Sequence, residues 1–493
     1  MTGADARRTA GPGGRTAPVG VWWLAPALAV LLVAVPTLLL AWATPDTQYR
    51  IAWRTPKALT TETVLLVLCG ALTMAVAAAL PLLERRPGPR RWPDLSPAQT
   101  RVLSAAAGPL FWLTMTGYLA FAVSGVRNGL RPVAVVQALV GQDVFGGDLK
   151  DAFGGIPGVT TLTQVGMAFV VVAALLLVQA PDRRLRRRLV VVLVLGLLRS
   201  SLVAERLATL ELLIPVAAVL ALHWSASASR LKRRAVALLP VAMVPLLLVV
   251  FGVFEYSRSW TWYSTRTDAP YAQFVVERLA GYYATAYNNG HLGLEHETYP
   301  GRVPFDSVEA VWTSPTAPLY GGYPGPDPQR EHAVVLQQHA NPEFNSPGGL
   351  VVPFIDWGPV GGLVLLGGTG LLLGLAYRDC VQGGPVGTVV YPALATGLFE
   401  LPRYLYWPLG RFAPSLAVLL LLAYLLHRAG RAGAAADPPA DADAGRAPEP
   451  GGTPARGAAT PAGPAAGDRA TRERVTGGPA TAEPSAHDRV LTP

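Results

Sequence analysis

Residues 256–290 read YSRSWTWYSTRTDAPYAQFVVERLAGYYATAYNNG and open a hydrophilic segment that runs on to Gly349. The segment holds four of the seven histidines (His291, His296, His332, His339) and nine of the sixteen tyrosines, with Trp260, Trp262 and Trp312. Its nine acids outnumber its five arginines. Apolar runs flank it at 235–255 and 350–376. A polar segment held between two spans must sit in water on one face of a membrane, because hydrocarbon tolerates neither unpaired backbone nor solvated charge. The fold class that follows is an all-α polytopic membrane protein with one large extracytoplasmic loop.

Composition points the same way. The chain has 493 residues, 51% hydrophobic and 15% charged, with a mean hydropathy of +0.33, which suits a membrane protein rather than a soluble enzyme. The net charge of +9 does not mark a nucleic-acid binder, since the basic residues cluster in short loops beside apolar runs. The two cysteines are Cys69, inside a span, and Cys380, in a short loop, too few for a disulfide framework or a thiolate metal site. Arg7, Arg8 and Arg15 precede the apolar run 21–43. That run is long enough to span, so it reads as a retained first helix.

Crossing a hydrocarbon core of ~30 Å takes about 20 apolar residues as helix. Clear spans are 21–43, 63–83, 103–125, 159–180, 235–255, 350–376 and 408–427; shorter or more charged ones are 189–204, 207–224 and 386–402. Together they make ten. Arginine-rich loops at 84–102, 181–188 and 225–234 belong to the cytoplasmic side. Ten spans satisfy all three, placing 44–62, 126–158 and 256–349 outside and both termini inside. The organisation is a cytoplasmic segment 1–20, seven spans over 21–255, the outer segment 256–349, three spans over 350–427, and an Ala/Pro/Gly-rich tail 428–493 expected to be disordered. No internal repeat is visible, which counts against transporters built from repeated halves. Within the outer segment, apolar residues at spacings of three and four predict an amphipathic helix over 271–287, lying along the membrane surface and ended by Asn288-Asn289-Gly290. Frequent Pro and Gly from Tyr299 to Pro347 predict ordered but irregular chain without further helices.

Ionisable groups at membrane depth are candidates for function. Arg199, Arg206 and Glu211 lie where two short spans turn outside. Arg199 and Arg206 suit the receipt of a diphosphate, whose oxygens match the guanidinium fork. The alternative is mutual neutralisation, Arg206 with Glu205 and Arg199 with Glu211. Arg258, beside Tyr256 and Trp260, either anchors the chain at headgroup level or meets the same phosphate. The loop histidines lack metal-ligand spacing. His291 is the best placed to act as a general base, against the plainer reading of a surface histidine. Tyr282, Tyr283 and the other loop aromatics suit sugar faces, and equally the packing of an outer subdomain. Glu400, Arg403 and Arg411 flank a Pro-rich aromatic break and either complete the outer cavity or anchor it.

Three stretches together resemble the oligosaccharide repeat-unit polymerases of the Wzy (O-antigen polymerase) class. They are Gly155–Gln164, which is similar to the opening of a mid-chain span; Arg199–Pro215, similar to an Arg-bearing helix pair; and Asn341–Gly349 with Val352–Gly362, similar to an Asn-rich loop end and the Asp-aromatic-Gly-x-x-Gly that starts the next helix. The resemblance covers roughly residues 20–427. It implies a GT-C-like, inverting glycosyltransferase of the plasma membrane with its site facing outside. Donor and acceptor are polyprenyl-diphosphate-linked oligosaccharides, and polyprenyl diphosphate leaves. No cofactor or metal is implied, and the expected partners are membrane lipid, a flippase and a chain-length regulator, with no nucleic acid. The family's span arginine and loop arginine carry over to Arg199 and Arg258, and the resemblance is carried to no other residue. Asn289, Asn345, Asp356, Glu211 and Arg403, with Tyr256, Tyr282 and Tyr283, complete the expected substrate contacts. Rival readings are a glycan ligase of the same architecture and, from another class, a lipid-linked oligosaccharide flippase.

Overall fold

The computed structural model describes residues 20–84, 92–129, 133, 159–202, 207–260, 263–265, 268–297 and 303–436, with the backbone alone at 257–258 and 433–436. Residues 1–437 form one unit. The tail beyond it, and most of the expected outer loop 126–158, lie outside the described residues.

No strand occurs among the described residues, and ten long helices follow the ten apolar runs: α1 (Pro26–Ala43), α2 (Thr61–Ala79), α3 (Pro97–Arg127), α4 (Val165–Gln179), α5 (Arg183–Leu202), α6 (Leu207–Ser225), α7 (Arg230–Glu255), α10 (Val352–Val381), α11 (Pro385–Glu400) and α12 (Ala413–Ala436). Two further helices, α8 (Tyr271–His296) and α9 (Pro328–His339), stand between α7 and α10. Eight of the ten are long and apolar enough to cross a membrane, so the chain is a polytopic membrane protein. The other two are α5 and α11. The first begins with the arginine run 183–188, and the second has only 16 residues, about 24 Å of helix.

The boundaries correct several expectations. Arg183–Arg188 and Arg230–Arg234 are the first turns of α5 and α7 rather than loops. Cys380 sits in the last turn of α10, and α12 continues to Ala436, past the expected start of the tail at 428.

α4 is the centre of the bundle, buried on every side from Val165 to Leu176. α10 packs against α2 through Gly370 and Gly374, where an added Cβ would stand 2.2 Å from the Met74 oxygen and 2.3 Å from the Ala78 oxygen. Small residues spaced by four let two backbones touch in lipid, where no hydrophobic drive joins apolar helices. α7 is peripheral and carries two prolines. Pro240 has no N–H to offer the Val236 carbonyl, and the Trp23 Nε1–H donates to that oxygen instead at 2.9 Å.

α8 departs most from the sequence reading. It runs through Asn288-Asn289-Gly290 to His296, and Ala284–Gly293 are buried without a break. Tyr287 meets Thr37 on α1 at 3.1 Å, so α8 is packed into the protein rather than laid on a surface. The asparagines do not end the helix because their amides serve other chain segments. Asn288 accepts from the Ala58 and Leu59 amides at 2.7 and 3.0 Å and donates to the Pro56 oxygen at 3.1 Å. Asn289 donates to the Phe344 and Ser346 oxygens. Gly290 and Gly293 leave room for Val351 and Ile355.

The Pro/Gly-rich stretch is not wholly irregular either. α9 starts on an Asp327 cap to the Gln329 amide with Pro328 at its first position, a recognised start signal. It escaped notice because only Pro328 and Leu336 are buried on it.

Candidate active site

The 256–349 segment, the α11–α12 connection and the start of α6 meet at one end of the bundle. They enclose a cavity of ≈ 670 Å³, a size suited to a small ligand or headgroup.

The α11–α12 connection supplies two arginines to its wall, Arg403 and Arg411. Arg411 is held by the buried Glu211 of α6: Nε lies 2.7 Å from Oε1, and Nη2 donates to Oε2 at 3.0 Å. The Tyr406 hydroxyl donates to the same carboxylate at 2.9 Å. Such a two-pronged pair fixes the guanidinium plane. Arg403 donates from Nη1 to Glu400 at 3.2 Å, with its guanidinium 5.2 Å from the Tyr282 ring centre and 5.1 Å from that of Tyr404. Its Nε is buried and meets no hydrogen-bond partner among the described residues. Burial works against this charge, but Glu400 and the phenols of Tyr404, Tyr283 and Tyr282 outweigh it and raise the pKa. Burial also raises the Tyr283 hydroxyl to about 12.

The cavity lining also carries Asp306, Glu309 and Glu343. Glu309 accepts from the Gly410 amide at 3.3 Å. Burial raises its carboxyl pKa, with the Gly410 amide and Arg411 pulling the other way. Asp356 does not line the cavity but holds the 305–307 chain beside it. Wholly buried at the start of α10, it accepts from the Phe305 amide at 3.2 Å and from the Ser307 amide and hydroxyl at 2.7 Å each. Two residues on, Gly358 adopts φ 69° and kinks α10, which only glycine does without strain.

Of the expected site residues, Tyr282, Asn345 and Arg403 line the cavity, and Glu211 touches it through Arg411. Tyr283 is one step behind, beside Glu400 and Arg403. Asn289 clamps the 344–346 chain from a fully buried position. Tyr256 is exposed against Tyr271. His291 is buried away from the cavity, with Thr63 at 2.8 Å on Nδ1 and Glu295 at 3.1 Å on Nε2. Arg199 does not line the cavity; Nη1 donates to Thr163 at 3.4 Å, and the guanidinium lies 4.6 Å from the Phe121 ring centre. Arg258 falls in the turn Tyr256–Trp260 with its side chain outside the described residues. Arg206 is also outside them, although its neighbour Leu207 lines the cavity.

Sequence reasoning passed over His332, Glu309 and Asp306. Each stands in a polar stretch without a periodic apolar face, and they meet only because distant segments fold over one another. A buried Arg278 was also missed. It bridges Glu343 at 2.9 Å and Glu255 at 3.5 Å with its guanidinium 4.5 Å from the Phe344 ring centre, tying the end of α7 to the cavity wall.

Compared with family models, curated proteins and solved structures, the chain matches none.

Proposed function

We propose that the chain is a membrane glycosyltransferase that joins polyprenyl-diphosphate-linked oligosaccharides into a cell-surface polysaccharide. The observation that supports it is the cavity at the end of a polytopic bundle, lined by two arginines held by buried glutamates and by three carboxylates. A lipid-linked substrate keeps its tail among the helices and its headgroup at that depth. In an inverting transfer, an acceptor hydroxyl attacks the donor's anomeric carbon. The carbon–oxygen bond to phosphate breaks, and its electrons go to the diphosphate. The developing charge is best met by donors already in place. Arg403 and Arg411 take that role at the cavity, which Arg199 does not line. Glu309, Asp306 and the Tyr282 and Tyr404 rings hold sugar hydroxyls and faces. The site faces the outside of the plasma membrane, in keeping with the arginine-rich turns at the other ends of α5 and α7, and the chemistry calls on no nucleotide.

The test is the purified chain in lipid bilayers, given polyprenyl-diphosphate oligosaccharide alone. A ladder of lengthened lipid-linked glycan is expected. Movement of intact substrate between leaflets without any glycosidic product would replace the enzyme by a flippase.

A further inference from the structure

We propose that His332, oriented by Glu297, is the proton acceptor of this site; the proposal rests on the glycosyltransferase reading above. His332 stands on α9 four residues from both Pro328 and Leu336, and all three line the cavity, as positions at that spacing share a helix face. Its Nδ1 lies 3.0 Å from Glu297 Oε1. Glu297 is the residue after α8 and its side chain is only 4% exposed. A buried carboxylate accepts from Nδ1–H and thereby leaves Nε2 as the basic nitrogen. Nε2 is buried and meets no hydrogen-bonding group among the described residues. An unsatisfied polar atom inside a folded protein is costly and calls for a reason.

The other three histidines of the segment contrast with it. His291 has partners on both ring nitrogens, and His296 and His339 stack on each other at 4.5 Å. The charged groups that share the cavity with His332 are Asp306, Glu309 and Glu343 from the loops and Arg403 and Arg411 from the α11–α12 connection. The arginines suit the departing phosphate and the imidazole of His332 the incoming hydroxyl.

The step balances. As the acceptor oxygen bonds to the anomeric carbon, its proton passes to His332 Nε2, while the carbon–phosphate oxygen bond breaks and its electron pair leaves with the diphosphate. The imidazolium then returns the proton to water. Glu297 acts only through the ring and is a positioning residue.

The experiment measures transfer by the full chain in bilayers for wild type, His332→Gly, Glu297→Gln and Glu297→Asp, with thermal stability recorded for each. Loss of a general base costs about 10²–10⁴ in rate, and added imidazole should restore part of the His332→Gly loss. Glu297→Gln should lower kcat about tenfold or more at unchanged KM, because loss of an orienting partner typically costs that much, and Glu297→Asp should recover part of it. His332→Gly within about threefold of wild type, or inactive, unstable and deaf to imidazole, would make the pair a structural tie between α8 and α9 and overturn the proposal. A wild type that forms no glycosidic product would overturn the functional reading itself, a different result from product made by wild type and variant alike.

Discussion

Arg403 and Arg411 share a cavity wall but differ in what holds them. Arg411 lies against Glu211 through two nitrogens, while Arg403 meets Glu400 through Nη1 and sits by the Tyr282 and Tyr404 rings. Glu309 is pushed up by burial, so the folded protein holds that proton to higher pH than the unfolded chain does. The native state then binds more protons in the window above the ordinary carboxyl value of 4.5. Stability is greatest below that value and declines as pH rises through the native pKa. Glu309→Gln should remove this decline, so apparent melting temperatures of variant and wild type, compared from pH 4 to 8, should diverge in the variant's favour as pH rises. A constant gap across that range would refute the assignment. Asp356 illustrates how much of the site could be read from residues alone. The Asp-aromatic-Gly pattern singled it out, but its work is to receive two amides and a hydroxyl from the 305–307 chain. Sequence marks such a residue without telling a tie from a contact. Asp356→Ala strands those donors in the interior and should cost on the order of 3 kcal/mol, read as a lower melting temperature. Unchanged stability would remove Asp356 from the scaffold of the wall.

At the scale of the element, the apolar runs were legible because lipid imposes a length and a hydropathy that no soluble helix needs. Helices stand where the ten runs were read, and eight of them meet that length and hydropathy. What stayed hidden is how polar elements pack. In α8, the Asn-Asn-Gly that reads as a stop is a docking surface, since both amides are spent on neighbouring loops. α9 is polar enough to pass for loop, yet it contributes His332 and Leu336 to the cavity. The α2–α10 contact makes a sharper prediction. An alanine methyl at Gly374 would already press on the Ala78 carbonyl, and a leucine must force the two helices apart. Gly374→Leu should abolish recovery of folded protein from membranes, whereas Gly368→Leu, whose added Cβ meets nothing within 4 Å, should leave it unchanged. Equal recovery of both would contradict the packing.

For the whole molecule, function depends on which end of the bundle faces outward. The arginines opening α5 and α7 mark one end, and the cavity lies at the other. In a background lacking Cys69 and Cys380, cysteine at Leu319 (85% exposed) or Leu231 (78% exposed) separates the two faces. An impermeant reagent on intact cells should label position 319 and spare 231; the reverse would put the cavity in the cytoplasm. The proposed transfer takes place in this cavity, at its two arginines. The most direct measurement is the initial rate of glycan lengthening from purified lipid-linked units by wild type, Arg403→Ala and Arg411→Ala at equal amounts of folded protein. Each variant is predicted to lose roughly a hundredfold or more, the cost of removing a donor that acts in the transition state. Rates near wild type from both would contradict the claim and move the chemistry elsewhere in the bundle.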